Sequence, residues 1–557
     1  MNRTPQLAAL TIAGIALALA VQSASWAAAP GRGAAAGGRG GAGAGAGGGT
    51  PGMTPITLET DEILPPEIKT SLGVMPGAKD LPVRKELPDV MTMNDGTKVT
   101  TKEQWAKRRD EMKTILEYYA VGQAPPPPDN LKATIENTQD VGGGKFKYRL
   151  IKLTFGPKDK PEACSLEFGL WTPASGPPVG VVIAQDGSAP GAQSLPNFPQ
   201  GVNQGRNQDV FSAKLAPLPA TDPVPGGGGG RGGRGAGGAA PAAPGAPGAP
   251  GAPALQLNFL PDDFGLSTYI PVAAPGAPAP GGAPARGGRG GRGPEGALTN
   301  QIMSHGYAYV TYNSGDCAED NTGRFADGSF SFRHSRFFPA YPNYDWGVLR
   351  AWAWGASRII DYLVTDPAID KTKIAITGVS RNGKSSLIAG AFDDRITLVA
   401  PVASSGGGTP AFRFSGFEHG GNEGLSEMSR KYPNWFSPHL HEFFHQAEKL
   451  PFDNHWYLAL CAPRATVCLE GSQDQNVNKY GLRQSYLAAQ PAFEFLGVKD
   501  RLETNWAPRP HGIHQVDWDG LFAMADLYWQ NKPNDHQFNL FPPEAMVPPA
   551  AIPGAAQ

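Results

Sequence analysis

The chain has 557 residues, with 73 Gly, 55 Pro, 48 Lys+Arg against 50 Asp+Glu, and a formal net charge of −2. Gly and Pro concentrate in three tracts, residues 30–52, 226–253 and 273–296, built from G-A-P, G-G-R and G-A-G repeats; outside them and a leader, roughly 450 residues of aromatic-bearing sequence remain, enough for one large core or two ordinary ones, which excludes a mainly disordered protein. Several arginines (Arg231, Arg234, Arg286, Arg289, Arg292) lie inside the glycine tracts, so the rest is somewhat acidic and no nucleic-acid partner is expected.

Residues 1–29 begin with Arg3, continue as an apolar run from Leu7 to Val21 and end in S-A-S-W-A-A-A at Ala29. That pattern predicts a cleaved signal peptide, a periplasmic or secreted mature protein, and no membrane contact beyond export. Residues 30–52 read as a Gly/Ala tether, 53–540 as a single domain interrupted by a Gly/Pro/Ala-rich insertion at about 226–296, and 541–557 as a Pro/Ala-rich tail. Loop-closure cost grows slowly with length, so such an insertion is tolerable in a surface loop. Four cysteines (Cys164, Cys317, Cys461, Cys468) are too few for a disulfide scaffold and are expected as buried thiols. A monomer is expected.

Within the domain, residues 104–119 place apolar side chains at helical spacing, and 146–155 and 164–172 alternate around the turn-rich G-P-K-D-K-P-E as a hairpin would. Compact apolar strands are predicted at 179–183 and 307–312. From Asp345 the pattern alternates: helix 346–364, strand 373–377, helix 385–392, strand 397–402, helix 438–448, strand 465–470 and helix 520–529. Strand–helix alternation of this kind implies an α/β fold, a three-layer sandwich with a mainly parallel sheet covered on both faces and an antiparallel edge on the N-terminal side.

Three motifs compete for the chemistry. G-V-S-R-N-G-K-S, from Gly378 to Ser385, lies between a strand and a helix and fits a nucleophile elbow, with Ser380 on the tight turn and the next amide aimed at a developing oxyanion. Asn382 stands where G-x-S-x-G would want glycine. The same letters satisfy a phosphate loop, but the following strand, L-V-A-P-V-A, ends without the acidic residue that would position a metal. H-E-F-F-H, from His441 to His445, would at helical spacing put two imidazoles on one face as in a zinc peptidase; it needs a third ligand, and Glu470, the distant carboxylate, falls on an apparent core strand. Chain order favours the elbow: an α/β-hydrolase needs serine, then an acid after a later strand, then histidine. Asp474 in G-S-Q-D-Q and His511 in a loop before the last helix occupy those places. The acid would orient the imidazole and the imidazole would take the serine proton. His514 lies three residues further along the same loop.

These residues resemble the glucuronoyl esterases, carbohydrate esterases of α/β-hydrolase fold, and their bacterial members especially. The resemblance covers roughly Leu81 to Trp529. It rests on L-P-D-V-M-T-M-N-D-G-T-K-V-T-T-K-E-Q-W from Leu87, W-G-V-L-R-A-W-A-W-G-A-S-R-I-I-D-Y-L from Trp346 and G-V-S-R-N-G-K. Further matches are N-W-F-S from Asn434, L-P-F-D-N-H from Leu450, A-L-C-A-P-R from Ala459 and H-G-I-H-Q-V-D-W from His511. It implies hydrolysis of esters of the glucuronic-acid carboxyl group, such as the 4-O-methyl-glucuronoyl methyl ester or the linkage joining glucuronoxylan to lignin alcohols, with no metal or cofactor. It also implies Ser380 as nucleophile, Arg381 as oxyanion donor, and Lys384 and Glu423 as ligands of sugar hydroxyls. Many members carry the catalytic acid where this chain has Ala403, and a tryptophan where residues 475–478 have none. Another carbohydrate or acetyl esterase on the same scaffold is the alternative.

Overall fold

In the computed structural model, the described residues are 68–186, 297–320, 322, 330–415 and 423–548. The leader, the tether, the insertion and the last residues of the tail lie outside them. All described residues fall within one compact unit.

Thr101 caps the first helix, α1 (Lys102–Leu116), with its side chain on the Gln104 amide, and the chain continues through one π-turn, Glu117–Val121. The strands β1 (Lys132–Val141), β2 (Phe146–Phe155) and β3 (Cys164–Pro173) follow as an antiparallel meander. The pairing of β1 with β2 is interrupted by a bulge between Ile135 and Asn137. After β4 (Val179–Asp186), the helix α2 (Ala297–Ser304) leads into β5 (Ala308–Asn313), which lies parallel to β4 and antiparallel to β3.

The remaining elements are α3 (Val348–Leu363), β6 (Ile369–Val379), α4 (Arg381–Phe392), β7 (Leu398–Val402), α5 (Leu425–Lys431), α6 (His455–Cys461), β8 (Ala465–Gly471), α7 (Lys479–Phe495), β9 (Leu502–Ala507) and α8 (Gln515–Gln530). The described strands form one sheet in the order β1-β2-β3-β5-β4-β6-β7-β8-β9. Every pairing from β5 to β9 is parallel, so the fold class read from the sequence holds, with the antiparallel strands at one edge.

Alternation along the strands separates two cores. Val181, Ile183, Ile374, Ile376 and Val399 point to the face covered by α1, α3, α4, α6 and α7. Val182, Ala184, Ala375, Leu398 and Ala400 point to the face covered by α2 and α8, where Trp518, Leu521 and Phe522 pack. Helices on both sides of the central parallel strands leave neither of their faces to solvent, which explains why these runs read as continuously apolar. Beyond β9 the chain returns along the sheet's last edge: Asn539 N–H donates to Thr504 O (2.8 Å), and Asn539 Oδ1 accepts from the Thr504 amide (2.9 Å).

One predicted helix is absent. Residues 438–448 form two short 3₁₀ turns, Pro438–Phe443 and Ala447–Lys449, with His445 between them in the left-handed region at φ 55°. The positive φ of His445 cannot continue a right-handed helix. All four cysteines are buried and free. No helix among the described residues is long and apolar enough to cross a membrane.

Candidate active site

Parallel strands bring their C-terminal ends to one edge of the sheet, and Ser380, the loop bearing Asp474 and the loop bearing His511 follow β6, β8 and β9 there. Ser380 is the single residue between β6 and α4, with φ 58° and ψ −119°. A non-glycine residue at positive φ is strained, and here the turn is held on both sides. Ser380 N–H donates to Val402 O (2.9 Å) of the neighbouring strand and Lys384 N–H donates to Ser380 O (3.0 Å). Glycines stand where the backbones crowd: a Cβ on Gly378 would lie 2.7 Å from Asn382 O, and one on Gly383 would lie 2.6 Å from Val402 O. The second close approach therefore falls one position later than in G-x-S-x-G. Asn382 is left free to carry a side chain, whose Oδ1 accepts from Ser314 Oγ at 2.9 Å.

The two loops that follow β8 and β9 are laced together. Ser472 N–H donates to Ala507 O (2.8 Å) and Gln473 N–H donates to Arg509 O (3.2 Å). Arg509 is itself buried. Its guanidinium donates to Leu469 O (3.1 Å), to Pro510 O (3.0 Å) and to Asp517 Oδ1 (2.6 Å from Nη2). Burial pushes the Asp517 carboxyl up to about 6 while Arg509 opposes the shift; its other oxygen accepts from His514 N–H at 2.7 Å. On this frame His511 Nδ1 meets Asp474 Oδ2 at 2.6 Å, and Asp474 Oδ1 accepts from Asn476 N–H at 2.9 Å. Asp474 is 1 % exposed. A carboxylate oxygen is an acceptor, so the pairing assigns the proton to Nδ1 and leaves Nε2 as the basic nitrogen. His514 instead begins α8, and burial with Arg509 nearby lowers its pKa.

In the first turns of α4, Lys384 is wholly buried and its Nζ meets Glu423 Oε2 at 2.7 Å. Glu423 reaches that place because Gly406 has no side chain: a Cβ there would lie 1.6 Å from Glu423 O. Arg381 pairs through Nη1 with Asp320 Oδ2. The Trp435 ring centroid lies 5.5 Å from both the Arg381 guanidinium carbon and Lys384 Nζ. Asp320 and Trp435 were not singled out by the sequence. Asp320 sits in D-C-A-E-D with no local pattern, while Trp435 belongs to the quoted N-W-F-S, which marks a place but not a role.

Ala403 is fully buried, holds φ 44° and donates its N–H to Leu469 O (2.9 Å), so that position carries no acid. Glu470 points inward from β8: Oε1 accepts from Thr409 Oγ1 at 3.2 Å, and Oε2 has no partner among the described residues. Burial above all, with Asp474 and Asp517 adding and Arg509 and Thr409 opposing, pushes Glu470 up to about 8. The zinc-peptidase pattern is not assembled. His441 and His445 do not share a helical face, His439 Nδ1 lies 3.1 Å from Glu442 Oε1, and Glu442 Oε2 also accepts from the Ala78 amide (3.3 Å). No group of three or more His, Cys, Asp or Glu able to hold a metal stands together among the described residues.

The sheet order and the strained serine turn define an α/β-hydrolase. The family described as "Glucuronyl esterase, fungi" matches residues 293–497, and a carbohydrate esterase of an unknown prokaryotic organism is 26 % identical over 460 residues, covering 79 % of this chain and 89 % of that one. The chain is thus similar to glucuronoyl esterases, by the family model over residues 293–497 and by the prokaryotic carbohydrate esterase over most of its length. A 4-O-methyl-glucuronoyl methylesterase of Hypocrea jecorina is 37 % identical over 206 residues, 35 % of this chain and 42 % of that protein, so the match spans about two fifths of the fungal relative's length. Among solved structures, a glucuronoyl esterase from Solibacter usitatus superposes with a TM-score of 0.56 at 21 % identity, covering 81 % of this chain and 99 % of that one, which shows the shared fold.

Proposed function

We propose that the protein is an exported serine esterase that hydrolyses esters of the glucuronic-acid carboxyl group, such as a 4-O-methyl-glucuronoyl methyl ester or the ester between glucuronoxylan and a lignin alcohol. The observation that carries this reading is the 2.6 Å contact of His511 Nδ1 with buried Asp474, at the sheet edge where Ser380 stands on a strained turn. In the reaction Ser380 Oγ attacks the ester carbonyl while His511 Nε2 takes its proton, and the carbonyl oxygen becomes an oxyanion. The Arg381 amide and guanidinium are suited to that charge because a fixed dipole and a cation stabilise it more than they stabilise the neutral ester. The imidazolium then gives its proton to the leaving alcohol. Water, deprotonated by the same imidazole, attacks the acyl-enzyme and releases the uronic acid with Ser380 restored. Lys384 and Glu423, paired with each other at 2.7 Å, are assigned to the sugar hydroxyls by the family resemblance alone, and the run of residues 1–29 supports export.

Turnover of methyl 4-O-methyl-glucuronate by the wild type and by Ser380→Ala, beside an aryl acetate, tests this. The wild type should prefer the uronate ester, and the variant should lose about 10⁶ in kcat, as serine proteases do on loss of their nucleophile. A preference for the acetate would move the enzyme to the acetyl esterases, and an active Ser380→Ala would end the serine mechanism.

A further inference from the structure

Arg381 is a first-turn residue of α4 with a long, flexible side chain, 41 % exposed. A guanidinium left to its own rotamers would lose side-chain entropy each time it met an oxyanion. Asp320 removes that freedom. Its Oδ2 pairs with Arg381 Nη1, and its Oδ1 accepts from Asn434 Nδ2 (2.9 Å) and Trp435 Nε1 (2.7 Å). Nε and Nη2 of Arg381 have no acceptor among the described residues.

The two donors that hold Asp320 are themselves fixed. Asn434 and Trp435 are buried, and the Trp435 ring stacks on Tyr432 at 3.9 Å between centroids and 8° between planes. Their backbone is seated on the first turn of α3, where Val348 N–H donates to Asn434 O (2.8 Å) and Leu349 N–H donates to Trp435 O (3.4 Å). Gly347 permits the approach, since a Cβ there would lie 2.3 Å from Trp435 O. A chain of contacts thus runs from a core helix through an indole and an amide to a carboxylate, and from it to the residue beside the nucleophile. An anion at this place also lowers the net positive charge near the ester, so it is useful only if it aims the cation.

We propose that Asp320 is a positioning residue for ester hydrolysis: it fixes the Arg381 guanidinium beside Ser380 so that the charge developing on the carbonyl oxygen meets a pre-oriented donor. The inference rests on Arg381 acting as oxyanion donor. Its test is a double-mutant cycle of Asp320→Asn and Arg381→Ala, with kcat and KM measured separately on methyl 4-O-methyl-glucuronate and on an aryl acetate. Arg381→Ala should lower kcat by roughly 10²–10³ with little change in KM. Asp320→Asn should lower kcat by roughly 10-fold to 100-fold in the wild-type background and by less than about 2-fold when Arg381 is already alanine.

Trp435→Phe, which removes one donor to Asp320 and keeps an aromatic ring under the cations, should give a smaller loss with the same dependence on Arg381. It also serves if Asp320→Asn fails to fold. Equal losses in both backgrounds would make Asp320 a structural residue and overturn the proposal, as would an unchanged kcat in a folded Asp320→Asn. Should the wild type ignore the uronate ester yet hydrolyse the acetate, the substrate reading fails while the cycle on acetate still decides the role of Asp320.

Discussion

Asp474 and Glu470 are carboxylic acids four residues apart at the end of one strand, both buried, and their surroundings give them opposite chemistry. Asp474 lies beyond the last ladder bond, where the backbone turns, so one oxygen collects the Asn476 amide and the other an imidazole N–H. Glu470 is still inside the sheet, between the helices of one face, with a single hydroxyl donor and a bare second oxygen. Ionising a carboxyl requires donors to replace water, and the turn after a strand provides them while the strand does not. Burial therefore pushes the Glu470 carboxyl up to about 8, while at the strand's end Asp474 finds the donors that let it orient a base.

The sharpest way to break that contrast is Asp474→Asn. The amide keeps the shape but supports the wrong imidazole tautomer, so kcat should fall by up to roughly 10⁴ with the fold intact by circular dichroism; near-normal turnover would strip Asp474 of its role. Arg509→Leu tests the frame that holds Asp474 and His511 together, because it leaves Asp517 buried without its cation. Unfolding in urea should show a loss of roughly 3–5 kcal/mol, with kcat reduced in whatever remains folded.

Glu470→Gln sharpens the comparison from the other side, with the smallest expected effect. The pKa of Glu470 rises from 4.5 to about 8 in the folded state, so between those values the native chain holds a proton that the unfolded chain has released. Stability from this site is thus fully present below the unfolded value and is lost as pH climbs toward the folded one. Glutamine cannot ionise. The variant should match the wild type near pH 4.5, exceed it in urea midpoint near pH 8, and keep kcat within a few-fold at pH 7. A large loss of turnover would mean that Glu470, not Asp474, serves the imidazole.

Chain order alone put Asp474 and His511 on loops that the fold bonds to each other, and the strand before Asp474 is apolar and compact. The alternation in residues 146–155 and 164–172 likewise marked β2 and β3 to within a residue. What the sequence concealed has physical causes. β1 is solvent-exposed over most of its length and so lacks an apolar period. β9, L-E-T-N-W-A, buries polar residues such as Thr504 and Asn505 that look like loop. α7 carries Pro491 inside it, a residue that argues against a helix. Asp320 is illegible because its partners come from two distant segments, at 381 and at 434–435, that only the tertiary fold brings together.

The two outer strands of the sheet also differ in how they end it. On β1 the Ile135/Asn137 bulge breaks the row of backbone donors and acceptors, and Lys132 and Glu136 place charges along it. On β9 the returning chain at Asn539 occupies Thr504's outward amide and carbonyl. A sheet of nine strands would otherwise be a template on which a second copy could add its own edge and continue the ladder. Among the described residues one border is thus kinked and charged and the other is paired at Thr504, features that disfavour edge-to-edge growth.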